Sequence, residues 1–213
     1  MAPKALGVKS AKELDGASVC IQTGTTTELN LAEFFSANKI SYEAVPIETN
    51  SEAQELYKAG RCDVYTTDAS GLYSTRASMP VPSDHLVFAE IISKEPLGPV
   101  VRHGDDQWAD IVGWTLRAMM AGEELGITSA NVKSLAGKDN KNKEINRLLG
   151  KDPLQGLSKL GLSADWAVQV IGQVGNYEEV FEKNLGMSTP LKIARGANSL
   201  YRDGGLFYIP PIK

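Results

Sequence analysis

Residues 17–28 read Ala17-Ser18-Val19-Cys20-Ile21-Gln22-Thr23-Gly24-Thr25-Thr26-Thr27-Glu28. The short apolar run over Ala17–Gln22 predicts a buried strand. The polar residues that follow, with one glycine among them, predict a turn. An amphipathic helix is expected from Glu28 to Asn38. The stretch is therefore a junction between a strand and a helix.

The same alternation recurs downstream. A strand is expected at Tyr42–Ile47, followed by a helix over Ser51–Ala59, and a third strand is expected at Arg61–Thr66. Strands and helices that alternate at this spacing are typical of a parallel, doubly wound α/β sheet. Two more strands are expected at His85–Glu90 and Leu97–Val101.

After Arg102 the sequence predicts helices. They are expected at Asp105–Ala121, Ser129–Ala136, Lys141–Leu149, Ser163–Val174 and Asn176–Leu185. We therefore divide the chain into an α/β domain, residues 1–100, and a mainly helical domain, residues 101–213. Trp108, Trp114 and Trp166 are expected in the core of the second domain. Its helices either form a bundle or cover a sheet that this chain does not supply.

The composition argues against several classes of partner. With 22 basic and 26 acidic residues, the net charge is −4, whereas a nucleic-acid footprint or a membrane-surface site needs a basic patch. No apolar run reaches the length of a membrane span, and the first residues lack the apolar segment of a signal peptide. Taken alone, this favours a cytoplasmic protein or a chain whose true beginning has been removed.

The turn at Gly24–Thr27 is a candidate anion site. A helix start exposes unpaired N–H groups and the positive end of the helix dipole, and threonine hydroxyls add donors. The alternative is that one threonine only caps the helix. Because the turn lacks the lysine of a phosphate-binding loop and the glycines of a dinucleotide site, a carboxylate is the favoured anion.

Asp68 follows the third predicted strand. In a parallel sheet the first and third strands are expected to be neighbours, and ligands bind at the carboxyl ends of strands. Asp68 would then share a rim with Gly24–Thr27, an arrangement that suits a zwitterion with its ammonium on Asp68. The alternative is that Asp68 caps the following helix.

The other reactive side chains point to no chemistry. Cys20 and Cys62 lie on neighbouring predicted strands, so they are either a disulfide or two buried thiols. His85 and His103 accompany no recognisable nucleophile, and no metal-binding spacing is present. We expect no catalytic residue, no metal and no cofactor.

Several segments together resemble one known family over nearly the whole chain. They are Val19 to Asn30, Gly60-Arg61-Cys62-Asp63-Val64 leading to Asp68, Glu95-Pro96-Leu97-Gly98-Pro99 and Val174-Gly175-Asn176-Tyr177. The first two of these segments resemble the second lobe of the polar amino-acid binding proteins of ABC importers. The first, third and fourth are similar to the general L-amino-acid-binding subfamily within that group. The resemblance implies a type II periplasmic-binding-protein fold and a receptor without catalysis.

The resemblance also implies roles for individual residues. Thr26 matches the position that binds the ligand carboxylate, and Asp68 matches the carboxylate that takes the α-ammonium. Gln22, Gly24, Thr25 and Thr27 fall beside the ligand. Implied partners are a free L-amino acid and the membrane subunits of the importer, and the implied compartment is the periplasm.

One part of the family pattern has no match here, namely the first half of lobe one. We therefore expect a chain truncated at its N-terminus, whose second domain is the remainder of lobe one. Two other functions stay open. One is a scaffold that has lost or weakened ligand binding and self-associates through exposed helical faces. The other is a small enzyme that uses Gly24–Thr27 as an anion hole.

Overall fold

The computed structural model describes residues 1–152 and 157–211. The chain divides into two compact units, Met1–Leu97 and Gly98–Lys213. The sequence-based boundary lies between residues 100 and 101. The strands of the first unit are β1 Ala2–Pro3, β2 Ala17–Gln22, β3 Tyr42–Ile47, β4 Val64–Tyr65 and β5 His85–Leu86. Its α-helices are α1 Thr26–Asn38, α2 Asn50–Lys58 and α3 Ala69–Ala77.

A parallel sheet with the strand order β3-β2-β4 forms the centre of the first unit. β2 pairs with β3 along its whole length, from Ala17 opposite Tyr42 to Gln22 opposite Ile47. On its other side β2 pairs with β4, with Val19 opposite Val64. β1 and β5 form a separate antiparallel pair. The predicted parallel α/β fold is confirmed.

Both faces of the sheet are buried. Successive side chains of β2 point to opposite faces, so they enter two different core clusters. Val19 and Ile21 join a core cluster with Leu31 and Phe35 of α1. Cys20 joins the other cluster, which contains Ala53 and Tyr57 of α2 and Leu72 of α3. Since helices cover each face, the short apolar strand predicted from the sequence is buried on both sides.

Cys20 and Cys62 are joined by a disulfide with a Cα–Cα distance of 5.6 Å. This distance lies within the usual range of about 4.4–6.8 Å. Cys20 is on β2, and Cys62 precedes the neighbouring strand β4. The bond therefore connects the two strands whose carboxyl ends carry the candidate site residues.

Three predicted strands differ from the structure. The strand expected at Arg61–Thr66 is only Val64–Tyr65, and the one expected at His85–Glu90 is only His85–Leu86. No strand forms at Leu97–Val101, where Leu97 is 76% and Val100 94% exposed. Pro96 and Pro99 lack the N–H group that a strand ladder requires. The strand at Leu97–Val101 was predicted from apolar composition alone, but within the described residues the structure pairs this segment with no other strand.

The second unit is helical in its described part, and its α-helices pack on one another. They are α4 Asp106–Glu124, α5 Val132–Ala136, α6 Lys143–Leu148, α7 Trp166–Val174 and α8 Tyr177–Asn184. Ala118, Val132, Leu148 and Ile171 belong to one core cluster and come from four of these helices. The helices thus bury a shared core within the unit, as in the bundle alternative.

The tryptophan prediction is correct only in part. Trp166 is buried in the cluster and Trp114 packs against it, but Trp108 is 53% exposed near the start of α4. The helical periodicity of the sequence places Trp108 on the apolar face of α4. It does not show how much of that face is covered by other segments. Among the described helices, none is long and apolar enough to cross a membrane.

We predict that replacing both cysteines, in the variant Cys20→Ala/Cys62→Ala, lowers the free energy of unfolding by about 4 kcal/mol. The disulfide closes a loop across 42 positions, so its loss increases the conformational entropy of the unfolded chain. Guanidinium chloride unfolding measures the change. Reductant should move the wild-type midpoint towards that of the variant and leave the variant unchanged; a wild-type midpoint insensitive to reductant would contradict the prediction.

We also predict a pH-dependent contribution from Asp63. The side chain and backbone of Ser18 both donate to Oδ2 of Asp63, at 2.6 and 2.9 Å, and these bonds lower the pKa of the carboxyl. The stabilisation is therefore complete above about pH 4, the pKa of an unfolded aspartate, and is lost as the pH falls through the lower folded pKa. The stability difference between wild type and Asp63→Asn should be present at pH 7 and shrink below pH 4. In a Ser18→Ala background this pH dependence should be weaker, and an equal dependence would count against the Ser18 bonds as its cause.

Candidate functional site

The candidate residues lie where the three parallel strands end. The turn after β2 is bonded to the end of β3, because Thr23 N donates to Ile47 O at 2.9 Å and Gln22 Nε2 donates to Glu48 O at 3.1 Å. On the other side, Thr66 N donates to Cys20 O at 3.4 Å. The turns that contain Gly24–Thr27 and Asp68 therefore follow neighbouring strands at the same edge of the sheet.

Thr25 caps α1. Its hydroxyl donates to Gln22 O at 2.8 Å and accepts from Glu28 N at 3.3 Å. This arrangement satisfies one of the N–H groups that a helix start leaves unpaired. For Thr25, the capping alternative raised by the sequence describes what the side chain does.

Gly24 donates its N–H to a carboxylate of the same chain. The acceptor is Oε2 of Glu28, at 2.8 Å, in the first turn of α1. Gly24 has a φ of +70°, in the left-handed region where glycine is favoured. The glycine is thus needed for the shape of the turn, and its N–H is occupied by Glu28.

Thr26, the predicted carboxylate-binding residue, also contacts an internal carboxylate. Its hydroxyl donates to Oε2 of Glu95 at 2.9 Å. Asn30, one helical turn further on, donates its Nδ2 to Oε1 of Glu95 at 2.8 Å. Both oxygens of Glu95 are therefore bonded at the start of α1. Thr27 lies half-buried in the same turn, and its side chain makes no hydrogen bond with the described residues.

Asp68 occupies the N-cap position of α3, but its side chain makes no capping bond. It is exposed to solvent. Burial raises the pKa of the neighbouring Tyr65. Hydrogen bonds that Tyr65 shares with Gln54, Thr67 and Asn50 oppose that shift, and the negative charge of Asp68 adds to it. The Asp68 carboxylate therefore interacts electrostatically with the Tyr65 phenol and is not used as a helix cap.

The histidines and acidic residues form no metal-binding cluster in the described ranges. No group of three or more His, Cys, Asp or Glu side chains there is placed to hold a metal ion. Nδ1 of His85 lies 2.7 Å from the hydroxyl of Tyr57, a contact within the core of the first unit. His103 is exposed in the second unit.

Sequence reasoning missed the two glutamates at the start of α1. Glu28 follows the threonines directly, and a glutamate in the first turn of a helix is a signal that could have been used. Glu95 is 65 positions from Asn30, so no local pattern connects them. Only the folded chain brings Glu95 to this helix.

The described residues also form a shallow groove in the second unit. Its walls are α4, through Gly113, Leu116, Arg117 and Met120, and the extended segment 206–210. Arg117 stacks over Trp114 at 5.1 Å. None of the predicted site residues contributes to this groove.

Comparisons with known proteins give several relatives, although no family model matches the chain. The chain is 54% identical, over all of its length, to the general L-amino acid-binding periplasmic protein AapJ of Rhizobium johnstonii. It is also 54% identical over its whole length to the glutamate/glutamine/aspartate/asparagine-binding protein BztA of Rhodobacter capsulatus. Over 97% of its length it is 49% identical to the putative amino-acid ABC transporter-binding protein YhdW of Escherichia coli.

A solved structure agrees with these relatives. It is an ABC transporter periplasmic binding protein from Brucella ovis with glutathione bound, matched with a TM-score of 0.92 and 49% identity. The match covers 100% of this chain and 66% of that structure, and this chain spans 62%, 62% and 60% of the three relatives. By their names, these homologues are amino-acid-binding proteins or periplasmic binding proteins of ABC transporters. They confirm the predicted resemblance and the prediction that the chain is not an enzyme.

We predict that Thr25→Ala and Asp68→Ala affect stability differently. Thr25→Ala removes a helix cap and should lower the free energy of unfolding by about 1 kcal/mol. Asp68→Ala removes no capping bond and should change it by less than about 0.5 kcal/mol. Thermal and urea unfolding measure both values. Thr49→Ala is the matched control, because Thr49 caps α2 by accepting from Glu52 N at 3.2 Å. An Asp68→Ala loss as large as that of the two caps would show that Asp68 caps α3.

Proposed function

Because the chain is homologous along its whole length to amino-acid-binding periplasmic proteins of ABC transporters, we propose that it binds the free α-amino-acid group of an L-amino acid. In this proposal the ligand carboxylate binds at the Gly24–Thr27 start of α1, chiefly through Thr26. The α-ammonium binds to Asp68. The binding serves import through the membrane subunits of an ABC transporter.

The observation that carries the proposal is the pairing of β2 with β4. These strands are parallel neighbours, so the start of α1 and Asp68 lie at one edge of one sheet. One turn offers hydrogen-bond donors and the positive end of a helix dipole, and the other offers a negative charge. A zwitterion complements both.

The electrostatic environment supports these two roles. Carboxylates of the same chain already bind donors at the junction of β2 and α1, where Glu28 accepts from Gly24 N and Glu95 accepts from Thr26 Oγ1. These contacts support a junction that is suited to a carboxylate group. Asp68 has no capping bond, and so its charge is available to an ammonium group.

The ligands named for the homologues share one chemical group. General L-amino acids, glutamate, glutamine, aspartate and asparagine each carry an α-carboxylate beside an α-ammonium, and glutathione carries the same pair on its glutamyl residue. Recognition of that pair by Thr26 and Asp68 accounts for breadth among side chains. We propose this group as the substrate class.

The two units have separate places in the proposal. Unit Met1–Leu97 is one lobe of a periplasmic receptor and supplies Thr26 and Asp68. Unit Gly98–Lys213 is part of the other lobe. We also propose a periplasmic location, which is supported by the names of the Rhizobium johnstonii and Brucella ovis homologues.

A second candidate function is self-association of a protein with weakened binding. The observation that favours it is the exposure of apolar side chains in the second unit, where Leu206 is 79% and Tyr208 74% exposed. Patches of this kind mark surfaces that other chains cover. Light scattering of the 213-residue chain distinguishes a monomer from an oligomer.

Calorimetric titration tests the binding proposal, with L-glutamate, L-glutamine, L-aspartate, L-asparagine and glutathione as ligands. We predict that Asp68→Ala weakens binding of every ligand that the wild type binds by about 30-fold or more, because it removes the partner of a charged group. Thr26→Val should cost about tenfold, the value of one hydrogen bond to a charged group.

Asp15→Ala is the control for a loss of charge. Asp15 accepts from Ser41 N at 2.7 Å, at the opposite edge of the sheet where β2 and β3 begin. Its replacement should leave affinity unchanged. Wild-type binding that survives Asp68→Ala would contradict the role of Asp68. Absence of heat with the whole panel, together with a stable oligomer in light scattering, would favour the second candidate function.

A further inference from the structure

Glu95 is bonded through both carboxylate oxygens to the first two turns of α1. Thr26 Oγ1 donates to Oε2 at 2.9 Å and Asn30 Nδ2 donates to Oε1 at 2.8 Å. Residues four positions apart lie on the same face of a helix, so these donors form a matched pair. The carboxylate also lies near the positive end of the helix dipole, which favours its charge.

Packing holds the segment before Glu95 against the same helix. Phe88 and Ile92 pack against the core cluster that contains Leu31 and Phe35 of α1. Glu90 accepts a hydrogen bond from Ser10. The chain from β5 to Glu95 is thus attached at several points before it reaches the start of α1.

The contact has a consequence for the proposed ligand. A threonine hydroxyl has one proton and donates to one acceptor at a time. While that proton is on Glu95, it is not available to a ligand carboxylate. If the ligand carboxylate remained beside a bound Glu95, the two negative charges would also repel each other.

We propose that Glu95 is an autoinhibitory competitor that occupies the carboxylate position of the ligand-free protein and is displaced when a ligand binds. The proposal rests on the function proposed for Thr26. Asn30 is a positioning residue, since it acts by holding Glu95 over Thr26. The observed association constant is the intrinsic association constant multiplied by the fraction of molecules in which Glu95 has left Thr26.

The expected size of the effect is modest. Glu95 and Thr26 are exposed, so their hydrogen bonds compete with water. Removal of Glu95 abolishes two such competing bonds, and we expect it to raise the affinity for the ligand by roughly threefold to tenfold. The two residues are in the same unit, Met1–Leu97, so the contact does not depend on how the units are arranged.

Calorimetric titration with L-glutamine measures the competition in the 213-residue chain. Glu95→Ala and the isosteric Glu95→Gln should both bind more tightly than the wild type. Glu33→Ala removes an exposed charge from α1. The Glu33 side chain is not hydrogen-bonded to Thr26, so its removal should leave affinity unchanged. Unchanged affinity in both Glu95 variants would overturn the proposal. Weaker binding would do so as well, because it would make Glu95 a ligand-binding residue.

The Asn30 variant separates positioning from direct binding. Asn30→Ala should raise the affinity of the wild type and have no effect in the Glu95→Ala background, because Asn30 acts through Glu95. A loss of affinity in both backgrounds would show that Asn30 contacts the ligand itself, and would overturn its role as a positioning residue.

A second measurement needs no amino-acid ligand. In nitrogen-15 NMR spectra, Glu95→Ala should shift the side-chain amide signals of Asn30. Titration with sodium acetate, against sodium chloride at equal ionic strength, should shift the Thr26 amide at roughly threefold to tenfold lower concentration in Glu95→Ala than in the wild type. If both NMR results are obtained but no amino acid binds in calorimetry, the Glu95 contact is retained and the proposed function is rejected. If the Asn30 signals and the acetate responses are the same in Glu95→Ala and in the wild type, the Glu95 contact is rejected, whatever the result of the amino-acid titrations.

Discussion

Parallel pairing of β2 with β3 on one side and β4 on the other is the interaction on which the first unit depends. It places the turns after β2 and β4 at one edge and presents alternate side chains of β2 to two core clusters. The disulfide between Cys20 and Cys62 and the bonds between Ser18 and Asp63 connect the same pair of strands. The separation between the start of α1 and Asp68 is thus set by a short and firmly attached framework.

The start of α1 shows how a helix terminus that attracts anions behaves in a folded chain. Its unpaired N–H groups and positive dipole end favour any carboxylate within reach. Thr25 satisfies one N–H group, Glu28 reaches the N–H of Gly24, and Glu95 reaches Thr26. In the proposed function, a ligand carboxylate competes with groups that the chain itself supplies. The affinity is then the difference between two similar interactions rather than the strength of one.

The second unit has a different physical basis. Its helices bury one shared cluster, and a buried ion pair between Glu123 and Arg195, with N–O distances of 2.9 Å, holds the segment after α8 to α4. The Arg195 guanidinium also lies over the rings of Tyr177 and Phe181. Amphipathic patterns predicted these helices well, since the 3.6-residue period of an apolar stripe is a local property of the sequence. They did not predict the exposure of Trp108, because the extent of cover depends on distant segments.

By itself the sequence determined the alternation of strands and helices from β2 to β4, the parallel sheet and the place of the strand-to-helix junction at Gly24–Thr27. These features follow from local periodicity and turn chemistry. Both long strands, Ala17–Gln22 and Tyr42–Ile47, occur at their predicted residues. Tertiary structure decided which threonine caps α1, left Asp68 without a capping bond, and brought Glu95 to Thr26 and Asn30. It also removed the strand expected at Leu97–Val101, since a strand exists only where a second backbone satisfies its hydrogen bonds.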